Sequence, residues 1–247
     1  MPRITKKISE QISEGIRTYQ PVLKKAFNKD VNKSDTLIVV IDILNDILGY
    51  DKYKEITNEF FIGNTFCDLA VKVEERLSLL VEIKAVGFPL KKEHICKVRN
   101  FAKEKGIPFV LLTNGIEWQF YEAIPNRKRQ NGAALNFNFL ELQYDNKADI
   151  EKLYTISKDG LEKSFISDYK KKENTLNRYV IGAVMLSDNF SDLLKKELKK
   201  LNSYHDFDDN EIRNILLHDV IKREITDNIE VKRAIKKIKS ITKKMEK

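Results

Sequence analysis

Cys67-Asp68-Leu69-Ala70-Val71, followed eight residues later by Leu79-Leu80-Val81-Glu82-Ile83-Lys84, is the stretch on which the reading of this chain turns. Both segments are apolar, and the link Glu74-Glu75-Arg76 between them is short and polar, which predicts two antiparallel strands joined by a hairpin. Side chains alternate along a strand, so Glu82 and Lys84 point one way while Val81 and Ile83 point the other. By the same rule Asp68 shares its face with Ala70, and Leu69, Val71 and Val73 form the buried set. The hairpin register allows Asp68 to lie beside Glu82. Two carboxylates that converge repel unless a cation lies between them, and their hard oxygens suit Mg²⁺ or Mn²⁺. An ammonium at Lys84 could orient a water or neutralise charge on phosphoryl oxygens in a transition state. Those parts together describe phosphodiester hydrolysis.

A plainer reading stands beside this one. The chain is 33% charged, so an E-x-K triplet arises easily by chance. A same-face ion pair on a solvated sheet contributes about 0–1 kcal/mol. Position favours the catalytic reading, because these charges interrupt an otherwise apolar run from Leu77 to Ala85, where a charge is costly. Asp68, fourteen positions before Glu82, adds a second acid to the pattern.

The order of an apolar helix, an acid and an E-x-K on two strands, a further helix and a further strand resembles the PD-(D/E)xK nuclease superfamily. More narrowly, it is similar to the N-terminal nuclease domain of type I restriction enzyme motor subunits and its stand-alone relatives. The residues that carry the resemblance are Asp35-Thr36 with Ile41 to Tyr50, Cys67 to Ala70, Val81 to Ala85, and Leu111 to Gly115 with Trp118. It spans roughly residues 30–125, and several weak motifs in the right order are more specific than any one of them.

The resemblance implies an α/β, restriction-endonuclease-like core, a mixed sheet flanked by helices. It further implies a metal-dependent DNA nuclease acting in restriction or defence. Asp68, Glu82 and Lys84 would be catalytic. Asp68, Glu82 and the backbone carbonyl of Ile83 would hold Mg²⁺ or Mn²⁺, with Asp35 and Lys97 as auxiliary groups. DNA is the partner implied, with RNA left open, and cutting both strands at once would need two active sites, as in a homodimer. The chain departs from the family pattern in three places. Leu37 follows Asp35-Thr36 where an arginine is common, Lys97 and Phe101 stand where glutamine and tyrosine are common, and Cys67 precedes Asp68 in place of proline. The substitutions at Lys97 and Phe101 favour an alternative: a nucleic-acid-binding or assembly module with a nuclease fold and weak or no cleavage.

Composition sets the remaining bounds. Across 247 residues the hydrophobic content is 42%, and no apolar run approaches the ~20 residues that span a bilayer. The first residues lack the apolar core of a signal peptide, so a cytoplasmic protein with no membrane partner is expected. Cys67 and Cys96 are too few for a disulfide framework. The net charge of +8 favours a polyanionic partner, although a lysine-rich surface can serve solubility alone. Basic residues gather at Lys91 and Lys92, at Arg127 to Arg129, at Lys170 to Lys172, and from Lys232 to Lys247. There is no G-x-x-x-x-G-K-[ST] sequence, so a nuclease module without a translocase motor is expected.

Periodicity predicts a helix over 4–27 broken near Pro21, and a second from Ser34 to Leu48 with Leu37, Val40, Ile41, Leu44 and Leu48 inward. Strands are expected at 54–62, 66–73, 77–85 and 109–112 and from Trp118 to Glu122, with an edge strand from Phe137 to Leu142. A helix at 91–105 should end at Gly106. From 147 onward the pattern turns helical, at 147–158, 174–186, 189–201, 208–225 and 228–246, with Asp188 and Asp208 as caps. The expected organisation is therefore a nuclease-like core at 1–146 and a helical C-terminal extension at 147–247. His94, His205 and His218 are scattered, and Tyr204, His205, Phe207 and Asp208 suit either a helix connection or a substrate-contacting loop.

Overall fold

A computed structural model of the chain describes residues 3–63, 65–124, 132–201 and 207–245. It separates into two compact units, Met1–Tyr169 and Lys170–Lys247.

The first unit is built on a six-stranded sheet in the order β1 (Ile56–Ile62), β2 (Thr65–Val73), β3 (Arg76–Ile83), β4 (Phe109–Thr113), β5 (Glu117–Glu122) and β6 (Leu135–Asn138). All neighbours are antiparallel except β3 and β4. A parallel pair needs a crossover, and α3 (Glu93–Lys105) supplies it. Gly106 ends α3 in the left-handed conformation, φ +70°, as its position predicted. The mixed sheet with flanking helices is the α/β class expected from the sequence.

The sheet separates two apolar layers. On one side Ala70, Leu80, Val110, Leu112 and Tyr121 pack with Ile95, Val98 and Ala102 of α3. On the other, Leu69, Val71, Leu79, Val81, Ile83 and Leu111 meet α1 (Lys6–Asn28), α2 (Lys33–Asp46) and α4 (Lys147–Ile156) through Ile12, Ile16, Val40, Ile43, Leu44, Leu153 and Tyr154. Burying both faces explains why β3 and β4 read as near-continuous apolar runs.

Pro21 does not break α1, which is helical from Lys6 to Asn28. Pro21 lies on the exposed face, where water can satisfy the carbonyl that loses its amide partner, while buried Ile12, Ile16 and Leu23 hold both halves to the core. Helix α2 begins at Lys33, one residue before the expected Ser34, because Asn32 caps it, its side-chain oxygen accepting from the Asp35 amide at 3.0 Å. The last strand is Leu135–Asn138, and the chain turns at Phe139–Glu141 into a short 3-10 helix that buries Phe139.

The first unit continues past residue 146. Leu153, Tyr154, Ile156 and Phe165, on α4 and on α6 (Phe165–Thr175), are all but inaccessible and belong to the same core as the sheet. Between them α5 (Lys158–Glu162) is tied to the α2 end of the fold, with the Lys158 amide donating to the Leu48 carbonyl at 2.9 Å and its ammonium 2.5 Å from Glu55.

The second unit is helical: α7 (Arg178–Met185), α8 (Asp188–Leu198), α9 (Asp209–Ile215), α10 (Arg223–Thr226) and α11 (Ile229–Met245). Its cores are small, Leu186, Ile212, Leu216 and Ile221 in one and Ala183, Val231 and Ala234 in the other. The single helix expected over 208–225 is interrupted by a π-helical turn at Leu216–Val220 and an extended Ile221, which buries its side chain beside Leu216. No glycine or proline marks that interruption in the sequence. Ser187, not Asp188, occupies the cap position of α8, while Asp208 does precede α9.

Candidate active site

The hairpin forms as read: β2 and β3 pair antiparallel with Leu69 opposite Val81, and the turn is the two residues Glu74 and Glu75, both at positive φ. One step past Leu69 and Val81 this register aligns Asp68 with Glu82. The strict alternation fails at this end, however. Cys67, not Asp68, packs with Ala70 and Leu80 on the α3 side, and Glu59 on the neighbouring strand stands at φ +50°. The Asp68 carboxylate reaches across to β3, where its Oδ2 accepts the Ile83 amide proton at 2.7 Å. A charge-assisted bond of this kind fixes the acid against the strand that carries Glu82 and Lys84.

Each carboxylate has an ammonium beside it. Lys84 Nζ lies 2.7 Å from Glu82 Oε1, and Lys33 Nζ lies 2.6 Å from Asp68 Oδ1. Exposure of the side chains is 13% for Glu82, 19% for Asp68 and 24% for Lys84, so the group is half sheltered yet reachable from solvent. Lys33 is the residue that sequence reasoning missed. Asp35, the auxiliary acid expected from the sequence, is exposed on the first turn of α2 and forms no ion pair among the described residues. No local signal could have found Lys33, because its relation to Asp68 exists only once α2 is docked on the sheet.

The edges of β3 decide which backbone groups face Asp68. The Lys84 amide donates to the Thr113 carbonyl of β4 at 2.9 Å, whereas the Ile83 amide turns to the β2 side. In an extended strand one residue's N–H and C=O leave on the same edge, so the Ile83 carbonyl also leaves on the Asp68 edge. Two carboxylates and a peptide carbonyl make an all-oxygen donor set suited to a hard divalent cation. Among the described residues no group of three His, Cys, Asp or Glu side chains comes together to hold a metal, so a site here would rest on two acids and backbone.

The residues following Lys84 are braced from two directions. Thr36, buried on α2, accepts the Val86 amide proton at 3.0 Å and donates to the Asn32 carbonyl at 2.9 Å. Asn114 donates to the Phe88 carbonyl at 2.9 Å and accepts from the Ile116 and Glu117 amides. The Trp118 indole closes the same turn by donating to the Gly115 carbonyl at 2.8 Å. Thr36 and Asn114-Gly115 with Trp118 are thus framework for the loop after Lys84.

Lys97 is exposed on α3 without an ion pair among the described residues, one turn before half-buried Phe101. Lys91 lies 3.9 Å from Glu93, and Lys92 is exposed. The His94 Nδ1 accepts the Lys91 amide proton at 3.0 Å, and His218 is exposed. Arg127 to Arg129, Tyr204 and His205 lie outside the described residues.

Cys67 is a sensitive reporter of this pocket of charge. Burial, then the negative charge of Glu82, pushes its thiol up to about 12. A thiol with a raised pKa becomes thiolate only as the pH approaches that value, so at pH 8 Cys67 is protonated and inert. Cys96 is exposed. Titration of native protein with a thiol reagent at pH 8 is expected to modify one cysteine per chain, and two after denaturation; rapid modification of two in native protein contradicts this placement.

Comparison with curated proteins and with solved structures gave no match. Against family models, residues 39–136 match the type I restriction enzyme R protein N terminus, a stretch that contains Asp68, Glu82 and Lys84 and leaves the helical second unit unmatched. A mixed sheet carrying an acid and an E-x-K on adjacent strands is consistent with the PD-(D/E)xK nuclease fold, and residues 39–136, less than half of the chain, are similar to the N-terminal domain of the type I restriction enzyme R protein.

Proposed function

We propose that the chain is a restriction-type endonuclease that hydrolyses phosphodiester bonds of DNA with Mg²⁺ or Mn²⁺, in the cytoplasm and in defence against foreign DNA. The observation that carries this reading is the convergence of Asp68 on the Glu82 to Lys84 segment through the 2.7 Å bond to the Ile83 amide. Asp68, Glu82 and the Ile83 carbonyl are the groups that would hold the cation. A divalent ion bound there would lower the pKa of a coordinated water and offset charge on the scissile phosphate. Lys84 would hold the attacking water by donating to its oxygen. As the water gives up its proton to solvent, its oxygen bonds to phosphorus and the ester P–O bond breaks, with the leaving oxygen taking a proton from solvent, the same ammonium would stabilise the added negative charge. Lys33 would keep Asp68 oriented, and Lys97 would contact substrate phosphate from α3. Double-strand cutting would call for two copies of the site, as in a homodimer.

The second reading is a nucleic-acid-binding or assembly module with this fold and little cleavage. Lys97 and Phe101 favour it, together with the fact that both acids already have lysine partners. Supercoiled plasmid and single-stranded DNA incubated with Mg²⁺ or Mn²⁺ separate the two. The nuclease reading expects cutting that disappears with EDTA and in Asp68→Ala. DNA binding without cutting by the wild-type chain would sink it in favour of the binding module.

A further inference from the structure

The second unit carries most of the chain's charge imbalance: residues 170–247 hold 19 Lys and Arg against 13 Asp and Glu, +6 of the total +8. Helix α11 concentrates it. After Glu230 no acid occurs up to Met245, while Lys232, Arg233, Lys236, Lys237 and Lys239 are all exposed. Positions 232, 236 and 239 fall in one row along the helix and 233 and 237 in the row beside it, a cationic strip about 10 Å long. Arg233 is offset by Glu230; the four lysines form no ion pair among the described residues. The opposite face of the helix is committed, since Val231 and Ala234 are buried and pack with Ala183 and Val180 of α7, with Ile235 and Ile238 alongside.

That commitment identifies the partner. A basic amphipathic helix binds an anionic membrane by burying its apolar face among lipids, and here that face is occupied by α7 as far as Ile238. What α11 presents is a fixed row of cations on a scaffold, the form that neutralises a phosphate backbone. We propose that residues 170–247 are a sequence-independent nucleic-acid-binding unit whose contact surface is the Lys232, Lys236, Lys237 and Lys239 strip. The choice of DNA as the nucleic acid rests on the proposed function, but the binding itself needs neither metal nor cleavage.

The test is fluorescence anisotropy of the full chain with a labelled 20-base-pair DNA duplex in EDTA, over a range of NaCl concentrations. Replacing the four lysines by glutamine is expected to weaken binding at least tenfold at low salt and to reduce the slope of log K against log[salt] by about 3–4, near 0.9 per lost phosphate contact. The four-arginine variant should bind as wild type, which separates lost charge from lost structure. Lys7, Lys24 and Lys25 on α1 and Lys29 at its C-terminal cap are also exposed, and their replacement by glutamine removes the same charge elsewhere. Equal weakening by this control, wild-type affinity in the α11 glutamine variant, or failure of the arginine variant would overturn the proposal. So would phosphatidylserine vesicles binding as tightly as the duplex, with the same dependence on the four lysines. Because EDTA blocks any metal-dependent step, an inactive but DNA-binding chain would leave this proposal standing while removing the nuclease reading.

Discussion

Lys84→Ala is expected, on the proposed function, to slow metal-dependent DNA cleavage by about 10²–10³-fold while leaving in place the thermal stabilisation that Mg²⁺ bound at Asp68 and Glu82 would give, the magnitude being that of removing one preorganised transition-state donor. The separation of the two readouts follows from which atoms each residue offers. Lys84 contributes only an ammonium, 2.7 Å from Glu82 Oε1, and nothing that could bind a cation. Its removal leaves Asp68, Glu82 and the Ile83 carbonyl intact and takes away one positive charge that competes with the metal. A ligand that binds only the folded state raises the melting temperature, so the shift should persist or grow in Lys84→Ala. Asp68→Ala should lose both cleavage and the shift, because it removes a proposed ligand and also leaves the Ile83 amide and the Lys33 ammonium without their acceptor. Wild-type cutting by Lys84→Ala would reduce Glu82 and Lys84 to a surface ion pair. Loss of the Mg²⁺ shift in that variant would mean that the lysine only positions Glu82.

What could be read from the sequence was whatever depends on neighbours along the chain. The β2–β3 hairpin was legible because alternation and a charged two-residue turn are local signals, and Glu82 and Lys84 stood out as charges inside an apolar strand. Gly106 marked the end of α3 for the same reason. The sequence was silent where tertiary contacts decide. Lys33 and Asp68 are separated by α2 and β1, so their pairing could not be read from spacing. The change of face at Cys67 and Asp68 escaped the alternation rule because it depends on the irregular backbone at Glu59 across the pair. Pro21 predicts a break because helix propensity ignores the packing that holds α1 together on both sides of it. The helices on either side of residue 169 look alike in sequence, so nothing in the pattern separates 147–169 from the C-terminal region. Only the burial of Tyr154, Ile156 and Phe165 shows that they complete the core behind the sheet.

That last segment supplies the largest expected effect on stability. In an exposed helix, exchanging glycine for alanine is favourable by about 1 kcal/mol. At Gly160 the sign should reverse, because a Cβ there would lie 1.8 Å from the Tyr154 carbonyl oxygen and 2.9 Å from its carbon. The clash is with backbone, and that backbone cannot easily yield. The Ser157 hydroxyl donates to the same Tyr154 carbonyl at 2.8 Å and accepts the Gly160 amide proton at 3.1 Å, folding α4 back on α5. The Tyr154 ring is buried edge-on against Phe165 at 4.7 Å, and its hydroxyl is bonded to Asp159. Lys158 holds the following turn to Leu48 and Glu55. Relieving the clash therefore means moving α5 away from groups that are themselves pinned to α2 and to the start of β1. Gly160→Ala should cost about 3 kcal/mol or more, a drop of roughly 10 °C in the melting temperature for a unit of this size. Ser157→Ala, which removes the cap and not the close approach, should cost only about 1 kcal/mol. Circular dichroism melts of the two variants check the order. Should Gly160→Ala melt within 2 °C of wild type, α4 and α5 do not approach each other as closely as this turn requires, and the burial of Tyr154 behind the sheet would have to be achieved by a different path of the chain.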